Sequence, residues 1–339
     1  MKRLLLTVVT LLMAGHLFSQ SDSAKFYFKK GSDEQTAKRY LVAAKYFDKA
    51  IQFDPKYTEA YLENGRVNLL MRKIGAAQVN FEKANQLQPE NQDAIRELAS
   101  LYFNNRQFQK AIDLAEKCKS CPESEKIKAM GSYQMEDYAN AITGLTKYLA
   151  KNPNDAEATY TLGRSYLEIE DFKNAIKQYQ KALALDPTKN VWMYELALQL
   201  YNSADYPNAK KYFLMAADAG YPKSNDYYEN LGFAYINTGD IDNGIKNLTT
   251  VLGRKPNNKE LLNDIAHSLY SAKHYEEALG YYQKLLELNP KDANSLYMAG
   301  ITFQKMGQKD RGIAMCDEAI KLDPALAKNR QKKGDEFGL

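Results

Sequence analysis

Residues 156–187 read AEATYTLGRSYLEIEDFKNAIKQYQKALALDP. Within them Leu162 and Gly163, Tyr166, Ala175, Tyr179, Ala182 and Pro187 are placed at intervals that recur elsewhere in the chain. The closing tripeptide is the easiest marker. LDP or a near relative stands at 53–55 (FDP), 87–89 (LQP), 185–187 (LDP), 288–290 (LNP) and 322–324 (LDP). Pro55 and Pro89 are 34 residues apart, as are Pro153 and Pro187, Pro256 and Pro290, and Pro290 and Pro324. A fixed period of this length marks a repeat array, in which each unit is one supersecondary element that cannot bury its apolar face alone. Each proline ends a helix, because its ring cannot continue the hydrogen-bond ladder.

The pattern resembles the tetratricopeptide repeat, a helix-turn-helix unit of 34 residues carrying L-G-x-x-Y, then a small residue, an aromatic, Ala and Pro. Gly31, Ala43, Phe47, Ala50 and Pro55 carry the first repeat, and Gly65, Ala77, Phe81, Ala84 and Pro89 the second. Ala111 and Ala115 mark the third, Ala141 and Leu145 the fourth, and Ala209, Phe213 and Ala216 the sixth. Leu231, Gly232, Tyr235, Gly244 and Leu248 mark the seventh; Ala266, Ala278 and Tyr282 the eighth; Gly300, Phe303, Gly312, Ala319 and Pro324 the ninth. The resemblance implies an all-α, right-handed superhelical solenoid of about nine repeats over residues 24–324, followed by a polar capping helix over 325–339. Small residues such as Gly163 and Ala175 then let paired helices cross closely, while Tyr179 and Ala182 meet the next unit. Two intervals break the period. Ala111 to Ala141 spans 30 residues and Ala209 to Gly244 spans 35, which places an irregularity around 119–135 and one inserted residue near GYPKS (220–224).

Residues 1–20 are expected to be a secretory signal peptide: Lys2 and Arg3 precede an apolar run from Leu4 to Leu12, and small or polar residues follow at Gly15, Ser19 and Gln20. The run is shorter than the roughly 20 residues a spanning helix needs, which disfavours a retained anchor. The expected location is the exterior of the inner membrane, either the periplasm of a Gram-negative envelope or the medium, with peripheral envelope association open. The net charge of +4 falls to +2 once Lys2 and Arg3 are removed, far from the clustered basic surface of a nucleic-acid binder.

Cys118 and Cys121, in CKSCP, raise the possibility of a thiol-disulfide oxidoreductase. Counting from Ala111, however, puts Cys118 where Ala50, Ala84 and Ala182 stand and Cys121 where Phe53, Leu87 and Leu185 stand, at a helix C-terminus. A reactive cysteine of this type normally sits at a helix N-terminus, where the dipole lowers its pKa. A structural role follows, as buried thiols or as a disulfide, with a redox role as the rival reading. Cys316 takes the aromatic core position of repeat nine and reads as a buried free thiol. His267 and His274 lack further ligands at metal spacing. No phosphate loop or nucleophile elbow occurs. The sequence therefore gives no catalytic residue, metal, cofactor or small-molecule substrate, and no enzyme.

What the resemblance implies instead is a binding groove lined by the first helix of each unit. Carried onto this chain, the groove positions are Tyr160, Arg164 and Leu167 in repeat five, Tyr194, Leu198 and Tyr201 in six, and Glu229, Phe233 and Ile236 in seven. Repeat eight supplies Asn263, His267 and Tyr270, and repeat nine Tyr297 and Ile301. An aromatic and aliphatic stripe fits a protein partner, an extended peptide or a helix; the same residues fit packing between neighbouring helices equally well. The early repeats offer Lys25, Lys29, Glu59, Glu63, Arg66, Asp93, Arg96 and Glu97, a mixed-charge face. The family's Lys/Asn clamp for peptide carboxylates finds no three consecutive units here that supply it. The expected function is thus a non-enzymatic protein-interaction scaffold of the cell envelope, with a structural subunit of an envelope secretion or motility assembly as the alternative.

Overall fold

A computed structural model describes residues 21–119 and 121–328. The expected signal peptide and residues 329–339 of the expected capping helix lie outside the described residues. Within them there are eighteen α-helices, one short 3-10 turn and no strand. The chain divides into two compact units, 1–175 and 176–339. The N-terminal unit holds α1 (21–36), α2 (Tyr40–Phe53), α3 (Thr58–Leu70), α4 (Ile74–Leu87), α5 (Gln92–Asn104), α6 (Phe108–Lys117), α7 (Glu123–Gln134), α8 (Tyr138–Lys151), α9 (Ala156–Glu168) and the start of α10 (Phe172–Leu185). The C-terminal unit holds the rest of α10, α11 (Asn190–Asn202), α12 (Tyr206–Asp218), α13 (Asn225–Asn237), α14 (Ile241–Arg254), α15 (Lys259–Ser271), α16 (Tyr275–Leu288), α17 (Ala293–Lys305), α18 (Lys309–Leu322) and the 3-10 turn Pro324–Leu326.

The helices follow from two different apolar patterns. A second helix of a pair buries one narrow stripe, as with Ala77, Phe81 and Ala84 of α4 or Ala209, Phe213 and Ala216 of α12. The four-then-three spacing keeps that stripe on one side of a helix with 3.6 residues per turn. First helices are covered on more sides: α15 buries Leu261, Leu262, Ile265, Ala266 and Leu269, because it is packed against helices before and after it. Close crossing requires small residues at fixed points. A Cβ on Gly31 would lie 2.6 Å from the Phe47 ring, and one on Gly232 would lie 2.6 Å from Leu248.

Each pair is joined by the same turn. Its left-handed residue is Lys38, Arg72, Arg106, Glu136, Glu170, Ala204, Gly239, Lys273 or Gly307. The following amide reaches back to the last turn of the first helix, as from Lys73 N to Asn68 O at 2.8 Å and from His274 N to Leu269 O at 2.9 Å. This is a Schellman closure, which satisfies carbonyls that a helix end leaves unpaired. The left-handed residues are spaced 34 apart except between Arg106 and Glu136 and between Ala204 and Gly239, so the two irregular intervals of the sequence are built into the structure. Seven of the nine carry a side chain that this conformation disfavours by roughly 1–2 kcal/mol. Ala204→Gly should therefore raise stability by about 0.5–1 kcal/mol after the added freedom of the unfolded chain is subtracted; urea denaturation followed by circular dichroism checks it.

The 30-residue interval has a simple origin. α6 has 10 residues where α2, α4 and α8 each have 14, so one turn is missing from its C-terminal end. Cys118 is its C-cap, and Cys121 lies beyond the helix in the connection to α7, not on a helical core position as the regular period implies. The two are joined by a disulfide with Cα atoms 5.6 Å apart, and Cys121 is buried. The Gln92 side chain accepts a hydrogen bond from Lys119 N at 2.8 Å and so fastens the shortened end to α5. Because the disulfide closes so small a loop, replacing both cysteines by serine should cost at most about 2 kcal/mol, read as a shift between the melting curves of the two proteins.

Candidate functional site

In the N-terminal unit the charges around Arg66 on the first-helix face are paired with one another. The Arg66 guanidinium donates to Glu97 at 2.9 Å and to Glu63 at 2.5 Å, and Arg96 pairs with Asp93 at 2.7 Å. Gln35 donates to the other oxygen of Glu63 at 2.9 Å. On α9, Tyr160 and Arg164 are both half-buried, and the Arg164 guanidinium lies 5.6 Å from the centre of the Tyr133 ring. Arg164 is thereby turned toward its own fold.

In the C-terminal unit the groove positions separate into two kinds. Tyr194 is 8% exposed; its ring stacks on Tyr221 at 4.2 Å and meets Phe213 at 5.4 Å, and its hydroxyl accepts from Asn230 Nδ2 at 2.9 Å. Tyr201, seven residues on, accepts from Asn237 Nδ2 at 3.3 Å and packs edge-on against Tyr206. These two tyrosines tie α11 to α13. Leu198 between them is half-buried, Phe233 packs against the core of repeats seven and eight, and Tyr270 meets Tyr275 edge-on at 5.5 Å. All of these are wholly or partly structural.

The second kind lines a cavity of about 710 Å³, with Asn263 and His267 of α15 on one side and Tyr297 and Ile301 of α17 on the other. Leu285 of α16 and Leu326 of the 3-10 turn complete its apolar wall. His267 is exposed, and its ring stands edge-to-face on Tyr282 at 5.8 Å. Tyr297 is nearly buried, at 6% exposure, so it presents one edge of its ring. Lys259 and Asp292 supply one charge of each sign at the cavity margin, the latter also capping α17 by accepting from Ser295 N at 3.3 Å and Ser295 Oγ at 2.9 Å. The cavity holds apolar wall, amide and imidazole together, the mixture typical of a site that takes a side chain and fixes its orientation.

Of the fourteen groove positions read from repeats five to nine, the cavity brings together Asn263, His267, Tyr297 and Ile301. It also recruits residues the repeat pattern does not single out. Lys259 follows from the i, i+4, i+8 spacing of Lys259, Asn263 and His267 on one helix face; Leu326 does not, because it belongs to the turn after Pro324 and not to a repeat position. The carboxyl groups of Glu229 on α13 and Asp264 on α15 are pushed up from their ordinary values. Burial is the largest cause in both; Asp226, Asp264 and Glu260 add to it at Glu229, and Glu260 adds to it at Asp264, where His267 and a hydrogen bond with the Asn263 side chain act against it.

Four tetratricopeptide-repeat models match the chain, over residues 128–190, 226–258, 259–292 and 281–314. Among curated proteins it is similar to the DnaJ protein P58IPK homolog of Arabidopsis thaliana, 26% identical over 44% of this chain and 35% of that protein. It is also similar to the protein CTR9 homolog of the same plant, 22% identical over 86% of this chain and 28% of that protein. The chain thus spans about a third or less of the length of the curated relatives it matches. Similar solved structures include YrrB, described as a tetratricopeptide-repeat protein with an unusual peptide-binding site, with 24% identity, 56% of this chain, 97% of that chain and a TM-score of 0.41. The C-terminal part of a repeat-containing protein of Cytophaga hutchinsonii is another, with 22% identity, 72% of this chain, all of that one and a TM-score of 0.49. With helix pairs repeating through the described residues and four models of the same repeat matching between residues 128 and 314, the chain is a tetratricopeptide-repeat protein, whose fold is a generally non-catalytic scaffold suited to protein–protein interaction.

Proposed function

We propose that the chain is a non-enzymatic interaction scaffold, exported to the cell envelope, that holds a peptide or helix of another protein on the first-helix face of its C-terminal repeats. The observation that carries the binding reading is the cavity between α15 and α17, large enough for an apolar side chain and lined by groove residues from two successive repeats. The location rests on Lys2, Arg3 and the apolar run Leu4–Leu12; N-terminal sequencing of the protein from its native cells should start just after Ser19, and a start at Met1 overturns it. Interaction energy in such sites is concentrated in a few side chains. A random-peptide display selection on the full chain should enrich sequences that bind the unaltered protein and lose roughly tenfold in affinity on Ile301→Gln, the effect of removing one anchor contact of about 1.4 kcal/mol. Enriched peptides that bind the variant as tightly as the parent, or no enrichment at all, would sink the reading.

A further inference from the structure

Two charge clusters on first helices, one in each unit, are treated in opposite ways. In the N-terminal unit every carboxylate of the Glu63, Asp93 and Glu97 group has an arginine beside it. In the C-terminal unit, α13 and α15 carry Asp226, Glu229, Glu260 and Asp264, and none of the four enters an ion pair among the described residues. Asp226 and Glu260 are equivalent positions one period apart, in the first turns of their helices, where a carboxylate complements the helix dipole. Glu229 and Asp264 have no such excuse. They lie further along α13 and α15, Asp264 exposed and Glu229 half-buried; Asp226, Asp264 and Glu260 all bear on Glu229, and Glu260 bears on Asp264. Like charges left together on adjacent helices cost stability unless a counter-charge arrives from outside.

Their position says where that counter-charge belongs. Asp264 is adjacent in sequence to Asn263 and one turn before His267, two of the three residues, with Lys259, through which α15 lines the cavity. α15 therefore has an apolar cavity on its α17 side and shares with α13 an acidic strip that has no ion-pair partner among the described residues and is eased only by Asn263 and His267 at Asp264. We infer that the partner of this groove is a cationic segment, with Lys or Arg over Glu229 and Asp264 and an apolar side chain a few residues away seated between His267 and Ile301. The inference rests on the binding role proposed above for the same cavity and adds the chemistry of the occupant. Charge complementarity of this type sets register and association rate, and it depends on salt.

Three fluorescein-labelled synthetic peptides of equal length test it by anisotropy with the full chain: one alternating lysine and leucine, one with glutamate in place of lysine, one with serine in place of leucine. The lysine–leucine peptide should bind at least roughly tenfold tighter than either of the others, the scale of two exposed ion pairs together. Raising salt from about 0.1 M to about 1 M shortens the Debye length from about 10 Å to about 3 Å and should remove most of its advantage over the glutamate peptide. The double variant Glu229→Gln with Asp264→Asn should erase the same advantage while leucine is still preferred to serine. If lysine and glutamate peptides bind alike at low salt, or if the double variant keeps the lysine preference, the cationic partner is wrong while a leucine preference leaves the groove reading standing. If leucine and serine peptides bind alike, the cavity is not the anchor site and both readings fall. The salt series needs no variant, so a poorly folding double variant would still leave a result that decides.

Discussion

Replacing Tyr194 by alanine is expected to destabilise the C-terminal unit by about 3–5 kcal/mol, the range for deleting a large buried aromatic ring. The ring is buried on three sides, by Tyr221 stacked at 4.2 Å, by Phe213 at 5.4 Å and by the body of α11 itself. Tyr194→Phe keeps the ring and removes only the acceptor for Asn230, so it should cost about 1 kcal/mol. Urea denaturation of the two variants beside the parent protein separates the contributions. A loss of under about 1 kcal/mol for Tyr194→Ala would show that the ring is not a joint of the fold, and would return it to the groove surface. The same numbers determine how binding variants are to be read, because a partner lost on Tyr194→Ala reports unfolding of repeats six and seven before it reports a contact.

That outcome also explains which parts of the molecule were legible in the sequence. The helix pairs were, because each depends on local chemistry: a small residue at the crossing, most often an aromatic four residues on, and a proline at the exit. The two broken intervals were legible too, as counts. Their consequences were not. The residue inserted near 220–224 lengthens the connection after α12, where Gly220 takes a left-handed conformation and the amide of Tyr221 closes on Ala216 at 2.8 Å. That closure carries Tyr221 onto Tyr194, and no periodicity predicts a contact made by the residue that violates the period. Likewise the missing turn of α6 takes Cys121 off the helix and lets the chain bring it back to Cys118. The groove was the hardest to read. Tyr194 and Asn263 occupy equivalent places in their repeats, and only the neighbour supplied by the next element decides that one is walled in and the other lines a cavity.

The N-terminal unit should be equally sensitive at Phe81. Its ring is fully buried and fills the space left by Gly65, where an added Cβ would collide with it. Phe81→Ala should cost about 3–5 kcal/mol, because both the apolar transfer and the cavity left behind count against the fold. The distribution of that loss is as informative as its size. In a repeat array each unit contacts only its neighbours, so stability is close to a sum of unit and interface contributions and can be lost locally. Hydrogen exchange on the variant should show protection falling most in α3 and α4, less in α2 and α5, and least in α8. The ion pairs Arg66–Glu97 and Arg66–Glu63 connect α3 to α5 and to itself on the opposite face, and at under about 1 kcal/mol each they are too weak to hold α3 in place once the ring is gone. A uniform loss of protection across α2 to α8 would mean instead that the N-terminal unit unfolds as one body, and that the interfaces between its repeats are stronger than the repeats themselves.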